Sequence, residues 1–124
     1  MEENMSHGSF SWNELTTSDT QAALEFYTKL FGWKTEVMHM EGMDYTVIKA
    51  GNRPIGGVMT APEGAPITWT GYVTVDKVDE TVKLAESLGA TVCVPLTDIP
   101  DIGRFAVLRD PQGAGIAVIS YVKR

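Results

Sequence analysis

The chain has 124 residues, 44% hydrophobic and 21% charged, a balance that suits one packed domain and excludes a disordered polymer. Ten Lys and Arg against 16 Asp and Glu leave a net charge of −6 with no basic cluster, so neither nucleic acid nor an anionic membrane is an expected partner. No apolar run reaches the roughly 20 residues that span a bilayer, and a single cysteine, Cys93, excludes an internal disulfide or a thiolate-rich metal site.

The opening Met1-Glu2-Glu3-Asn4-Met5 is acidic and lacks an apolar stretch, so a secretory leader is not expected. Residues 1–9 read as a flexible tail, and residues 10–124 as one cytoplasmic domain. A strand is predicted over Phe10–Thr17. Ser18-Asp19-Thr20-Gln21 fits a capping box with Ser18 at the helix start. Ala22, Ala23, Phe26, Tyr27, Leu30 and Phe31 then recur at helical spacing as one apolar face, and Gly32 supplies the stop. Three strands follow, Lys34–Met40, Met43–Ala50 and Pro54–Thr60, separated by Glu41-Gly42 and Gly51-Asn52-Arg53. Ala61-Pro62-Glu63-Gly64-Ala65-Pro66 reads as a linker.

The second half repeats the plan. Its strand is Thr68–Val75, and its helix carries Val78, Val82, Ala85 and Leu88 on one stripe before Gly89, with Asp76 or Asp79 as the cap. The closing strands are Thr91–Thr97, Arg104–Arg109 and Gly115–Val122, the last two joined by the turn Asp110-Pro111-Gln112-Gly113. Trp12, Asp19 and Gly32 recur as Trp69, Asp76 and Gly89, each 57 positions on. Two copies at this spacing mean a duplicated unit, because a solenoid needs at least about three. The order is therefore βαβββ twice, with modules 10–60 and 68–122, and the class is α+β.

Strand alternation assigns the faces. Leu15 and the valines Val73 and Val75 are expected to pack on their helices, which leaves Trp12, Glu14, Thr16, Thr70, Tyr72 and Thr74 on the opposite face. If the sheet curls with its helices outside, that face is the wall of a cup. Met38, Met40, Met43 and Met59 cluster in the later strands of the first half and suit a pocket for an irregular or aromatic guest, with core packing as the alternative.

Trp12-Asn13-Glu14-Leu15-Thr16-Thr17-Ser18-Asp19, the Ala22-Ala23 and Phe26-Tyr27 pairs, Leu30-Phe31-Gly32-Trp33, and Ile99-Pro100-Asp101-Ile102-Gly103-Arg104-Phe105 with Asp110-Pro111-Gln112-Gly113-Ala114 resemble the vicinal oxygen chelate superfamily. That group holds glyoxalase I, bleomycin-resistance proteins and extradiol dioxygenases, and the nearer likeness is to its lactoylglutathione-lyase-related branch. The resemblance implies paired βαβββ modules forming a curled, cup-shaped mixed sheet, and a homodimer. It also implies a divalent metal held by two residues of each module. The corresponding positions here are Trp12, Gly56-Gly57, Thr70 (Trp69 if the register slips by one) and Ala117. None is a reasonable ligand, since Trp has no free lone pair, Ala and Gly have no side-chain donor, and a lone Thr hydroxyl is a poor one. The metal site reads as lost, and no cofactor is expected.

A cleft lined by Trp12, Glu14, Tyr45, Met59, Thr70 and Tyr72 is the expected ligand site. Desolvation in such a cleft would raise the Glu14 pKa toward that of a general base; an exposed or ion-paired carboxylate is the alternative. Arg104 could clamp a ligand carboxylate or phosphate, or pair with Asp98 or Asp101 to hold its loop. His39 is expected to be solvated or hydrogen-bonded, Cys93 to be an inert core thiol, and Gly56-Gly57 to allow close backbone approach or a bulge. Two functions follow from these residues. One is a metal-independent enzyme of lyase or isomerase type acting on a small oxygenated or aromatic metabolite through Glu14. The other is a drug- or metabolite-sequestering protein without catalysis, and a partner-binding domain is a weaker third.

Overall fold

The computed structural model describes residues 6–40 and 43–122, the side chains of Met40 and Met43 excepted. Its elements are β1 (Phe10–Thr17), α1 (Thr20–Phe31), β2 (Lys34–Met40), β3 (Met43–Ala50), β4 (Arg53–Thr60), β5 (Thr68–Thr74), α2 (Val78–Ser87), β6 (Thr91–Ile99), β7 (Gly103–Arg109) and β8 (Gly115–Tyr121). This is the duplicated βαβββ order, and the class is α+β. The Glu41-Gly42 turn and residues 1–5 of the tail lie outside the described residues. β6 and β7 run longer than their apolar stretches suggest, because Asp98 and Ile99 stay in register with Arg104 and Gly103.

Contacts divide the chain into two compact units, residues 12–70 and residues 71–124 with the stretch ending at Ser11. In the 12–70 unit the strand order is β2-β3-β4-β1. β1 runs parallel to β4, with Leu15 opposite Val58, while β2, β3 and β4 are antiparallel. The other unit has the equivalent order β5-β8-β7-β6, with β5 parallel to β8 and the remaining pairs antiparallel. Gly8 and Ser9 exchange backbone hydrogen bonds with Thr74, and the Asp76 N–H donates to His7 Nδ1 at 3.0 Å.

The helix starts differ from expectation. Asp19, not Ser18, is the N-cap of α1, and its carboxylate accepts the Ala22 N–H at 3.0 Å. The αL residue Gly32, at φ 73°, closes the helix as expected. In α2 neither Asp76 nor Asp79 caps. The N-cap is Lys77, whose side chain makes no cap bond, and the Val78 N–H is taken by Ser120 Oγ at 2.9 Å. The same hydroxyl donates to the Val75 carbonyl at 2.7 Å. A residue on β8 thus satisfies a donor that no residue near the helix start reaches.

Each unit has its own core. Leu15, Ile48 and Val58 are buried in the first, with Ala23, Leu24, Tyr27, Trp33 and Ile55 packed against them. The second buries Val75, Val78, Val82, Ala106, Leu108 and Val118, joined by Val73 and Ala85. The strand faces assigned from Leu15, Val73 and Val75 hold. The expected helix stripes hold only in part. α1 turns Ala23, Leu24 and Tyr27 to the sheet, while Phe26 (58% exposed), Leu30 and Phe31 stay outside. Phe26, Tyr27, Phe31, Trp33 and Trp69 make a surface aromatic cluster, in which Trp69 Nε1 donates to the Tyr27 hydroxyl at 3.1 Å. Leu88, at the C-cap of α2, is also exposed. Cys93 is exposed too, against the expectation of a core thiol. Val92 pairs with Leu108 and Val94 with Val107, so Cys93 sits on a bulge of the outermost strand, and alternation no longer turns it inward.

Candidate functional site

In the 12–70 unit, register and alternation put Trp12, Glu14 and Thr16 of β1, Gly57 and Met59 of β4, and Tyr45 of β3 on the face away from α1. Here the side chains of Trp12 and Tyr45 meet, and the Trp12 indole N–H donates to the Tyr45 hydroxyl at 2.9 Å. Gly57 makes the meeting possible. Tyr45 lies where a Cβ on residue 57 would project, so a larger residue there would have to displace the Tyr45 ring. Gly56 is pressed against the Asn13 carbonyl in the same way. The expectation of close backbone approach at Gly56-Gly57 therefore holds.

Glu14 is half-buried and stands directly opposite Gly57, beside this aromatic pair. Met59 pairs with Thr16, and both Met59 and Thr70 are half-buried. The structure thus brings Trp12, Glu14, Tyr45 and Met59 to one face. At its edge Lys49 pairs with Glu36, two residues that sequence reasoning did not single out although they follow the same alternation on β3 and β2.

Tyr72 belongs to the other unit, where it is only 4% exposed and lies 6.0 Å from the ring of Phe105. Tyr121 shares a 2.7 Å hydrogen bond with Ser11, and burial raises its phenol pKa, partly offset by that bond. Arg104 is on the opposite, helix-bearing side. Its Nε donates to Asp79 at 2.8 Å and a terminal nitrogen to Asp98 at 3.2 Å, and these bonds raise its pKa. The guanidinium ties α2 to the β6–β7 hairpin. His39 Nδ1 lies 2.8 Å from Asp44 Oδ1, which matches the hydrogen-bonded alternative.

Paired βαβββ modules of this topology define the class of fold. The chain belongs to the Glyoxalase/Bleomycin resistance protein/Dioxygenase superfamily, whose family model matches residues 9–118. It is 42% identical over 114 residues to CFP32 of Mycobacterium tuberculosis, a protein named provisionally as a glyoxylase, and covers 90% of this chain and 44% of that protein. It is 32% identical to the anthracycline biosynthesis protein DnrV of Streptomyces peucetius, over 90% of this chain and 46% of that one. The chain thus spans less than half the length of these relatives. Among solved structures, hypothetical protein BH1468 of Bacillus halodurans has a TM-score of 0.70 at 12% identity, with 96% of this chain and 98% of that one covered. Methylmalonyl-CoA epimerase of Mycobacterium tuberculosis has a TM-score of 0.64 at 13% identity, covering 94% and 89%. These two establish likeness of fold.

The divalent ion implied by the family does not fit the residues at the corresponding positions. The Trp12 indole nitrogen is a donor and is spent on Tyr45. Gly56 and Gly57 have no side-chain ligand, and their Cα positions are crowded by Asn13 and Tyr45. Ala117 is fully buried and apolar, and Thr70 offers only a hydroxyl. Among the described residues no three His, Cys, Asp or Glu side chains gather into a group that could hold an ion. No helix among them is long and apolar enough to cross a membrane.

Proposed function

We propose that the chain binds a small oxygenated or aromatic metabolite on the Trp12–Tyr45–Glu14 face without a divalent ion, and that Glu14 acts there as an acid/base of lyase or isomerase type. The observation that carries this reading is the Trp12–Tyr45 hydrogen bond formed over Gly57, with half-buried Glu14 opposite the same glycine. The two rings offer flat apolar surface for stacking, and the carboxylate stands where it can take a proton from a guest held on them. Met59 and Thr70 add adaptable apolar surface and a hydroxyl. The relatives' names suit such a guest, one being named a glyoxylase and another for making anthracyclines, which are oxygenated aromatic compounds. Arg104 is left out of the site, because Asp79 and Asp98 already hold it.

The aromatic pair also fits sequestration without chemistry, since stacking on two rings needs no reacting group. Both readings place the protein in the cytoplasm as a homodimer, which fractionation and sedimentation would check.

One experiment separates them. Chelator-treated protein is incubated with an anthracycline, and separately with the hemithioacetal of methylglyoxal and glutathione; binding is read by tryptophan fluorescence and product by NMR. For the enzyme, Glu14→Gln abolishes turnover and keeps binding, whereas Tyr45→Phe weakens binding. A ligand released unchanged, with full affinity in Glu14→Gln, establishes the sequestering function. Binding that ignores both Trp12→Phe and Tyr45→Phe removes the face from consideration.

A further inference from the structure

Five of the chain's eleven aromatic residues meet at one place on the surface of the 12–70 unit. Tyr27 is at the centre. Phe26 and Trp69 stand edge-on to it, and Phe31 and Trp33 stack against it, with ring centroids 5.0–6.2 Å away. Trp69 alternates with Thr70 along β5 and touches α1, so the cluster is on the helix-bearing side, away from Trp12 and Glu14. Leu30, one helical turn on from Phe26, extends it. Phe26, Leu30 and Phe31 are each more than half exposed, and Trp69 is 37% exposed.

Polarity and area together select what covers such a patch. The Trp69 indole N–H is spent on the Tyr27 hydroxyl, and the ring surface left over is apolar. The rings are already packed on one another, so little side-chain freedom is lost when a partner docks. At about 150–250 Å² for a whole aromatic side chain, the exposed parts of these residues come to about 500 Å². One side of a standard interface is about 800 Å², and homodimer interfaces are about 65% apolar, which asks for about the same area. A two-fold axis through the patch meets that demand, because it sets each cluster against its own copy. A different protein would need an equal apolar patch of its own. Charge opposes the pairing only at a distance, since each chain carries −6 and salt screens the repulsion.

We propose that a second copy of the chain docks on this patch, ring cluster on ring cluster, about a two-fold axis. The inference rests on the homodimer proposed above and supplies its surface. It leaves the Trp12–Tyr45 face, across the sheet, out of the contact.

The test is sedimentation velocity of the full chain over a dilution series, at low and at high salt. Wild type is expected to dimerise, and more tightly at high salt, because screening removes repulsion and leaves apolar burial intact. Phe26→Glu should weaken the dimer about a hundredfold or more, since a two-fold axis buries the new carboxylate twice. Leu30→Lys is a second variant, of opposite charge. Leu84→Glu, on a leucine of α2 as exposed as Phe26, is the control and should dimerise as wild type does. A retained signal from the Trp12 indole N–H, bonded to Tyr45, reports that the unit carrying either α1 substitution is folded. A wild type that is monomeric at every concentration overturns the proposal together with the homodimer reading, and leaves the patch to a different partner. A dimer that survives both Phe26→Glu and Leu30→Lys keeps the homodimer and overturns this surface alone. So does a dimer that Leu84→Glu disrupts as strongly, which would place the contact on α2, or one that salt dissociates, which would make the contact ionic.

Discussion

At the scale of single residues, the two adjacent glycines of β4 do different work, and alanine at each would separate their roles. A methyl at residue 57 meets the end of the Tyr45 side chain, which can swing aside. Gly57→Ala is expected to cost about 1–2 kcal/mol of stability and to break the Trp12–Tyr45 hydrogen bond. The Trp12 indole N–H signal should then move toward that of a solvated indole. A methyl at residue 56 meets the Asn13 carbonyl instead, and backbone cannot swing aside. Gly56→Ala should force β1 away from β4 and cost about 3 kcal/mol or more. Urea denaturation of the two variants checks the order, and a less stable Gly57→Ala would refute it.

Asp110 makes a second prediction at this scale. Backbone N–H groups of Ala114, Gln112 and Gly113 favour its charged form and hold its pKa below 3.8. A carboxyl with a depressed folded pKa stabilises the fold fully above its unfolded value, about 3.9. That stabilisation is lost as pH falls from there through the folded pKa. Asp110→Asn keeps an acceptor but no charge, so wild type should be the more stable at neutral pH and the gap should close in acid. Chemical denaturation at several pH values measures it; a gap unchanged by pH would assign the effect to the turn hydrogen bonds alone.

Among the elements, the helix ends show which information is local. The sequence Ser18-Asp19-Thr20-Gln21 offers two adjacent cap candidates, and a capping-box pattern selects Ser18. The chain uses Asp19, whose carboxylate reaches Ala22. Asp19→Ala should therefore cost about 1 kcal/mol, and Ser18→Ala close to nothing. At α2 no local reading could succeed, because Ser120 approaches through tertiary structure. Ser120→Ala removes the acceptor of the Val78 N–H and the donor to the Val75 carbonyl together. It should cost about 1–3 kcal/mol, and the midpoint of thermal unfolding would show it. The same distinction explains Cys93. Val92-Cys93-Val94 has the composition of a buried strand, yet burial depends on register against β7, and the bulge that shifts it carries no signal within three residues. Gly32 was legible for the opposite reason, since a left-handed residue after the last helical turn is a purely local requirement.

For the molecule as a whole, the duplication was legible because both βαβββ units carry the same punctuation. The face of Trp12 and Glu14 followed from alternation, whereas Tyr45 and Met59 share it through the β3–β4–β1 register, which alternation within one strand does not contain. The depth to which each helix is buried was not legible, as α1 has the richer apolar pattern and the shallower seat. None of its residues is buried, and its unit has a core of Leu15, Ile48 and Val58. α2 is more polar in sequence yet buries Val78 and Val82 in a larger cluster with Ala106, Leu108 and Val118. Each fully buried Val contributes about 1.5–3 kcal/mol, so opening α2 should cost more than opening α1. Because every 1.4 kcal/mol is a factor of ten, amides in α1 should exchange with solvent deuterium about ten times faster than those in α2, or more. The comparison is made on dilute protein and repeated at high concentration. Protection of α1 that already matches α2 at high dilution would mean that the clustered rings of Phe26, Tyr27, Phe31, Trp33 and Trp69 hold the helix as firmly as a buried core does. Protection that rises only with concentration would place a second copy of the chain on that helix.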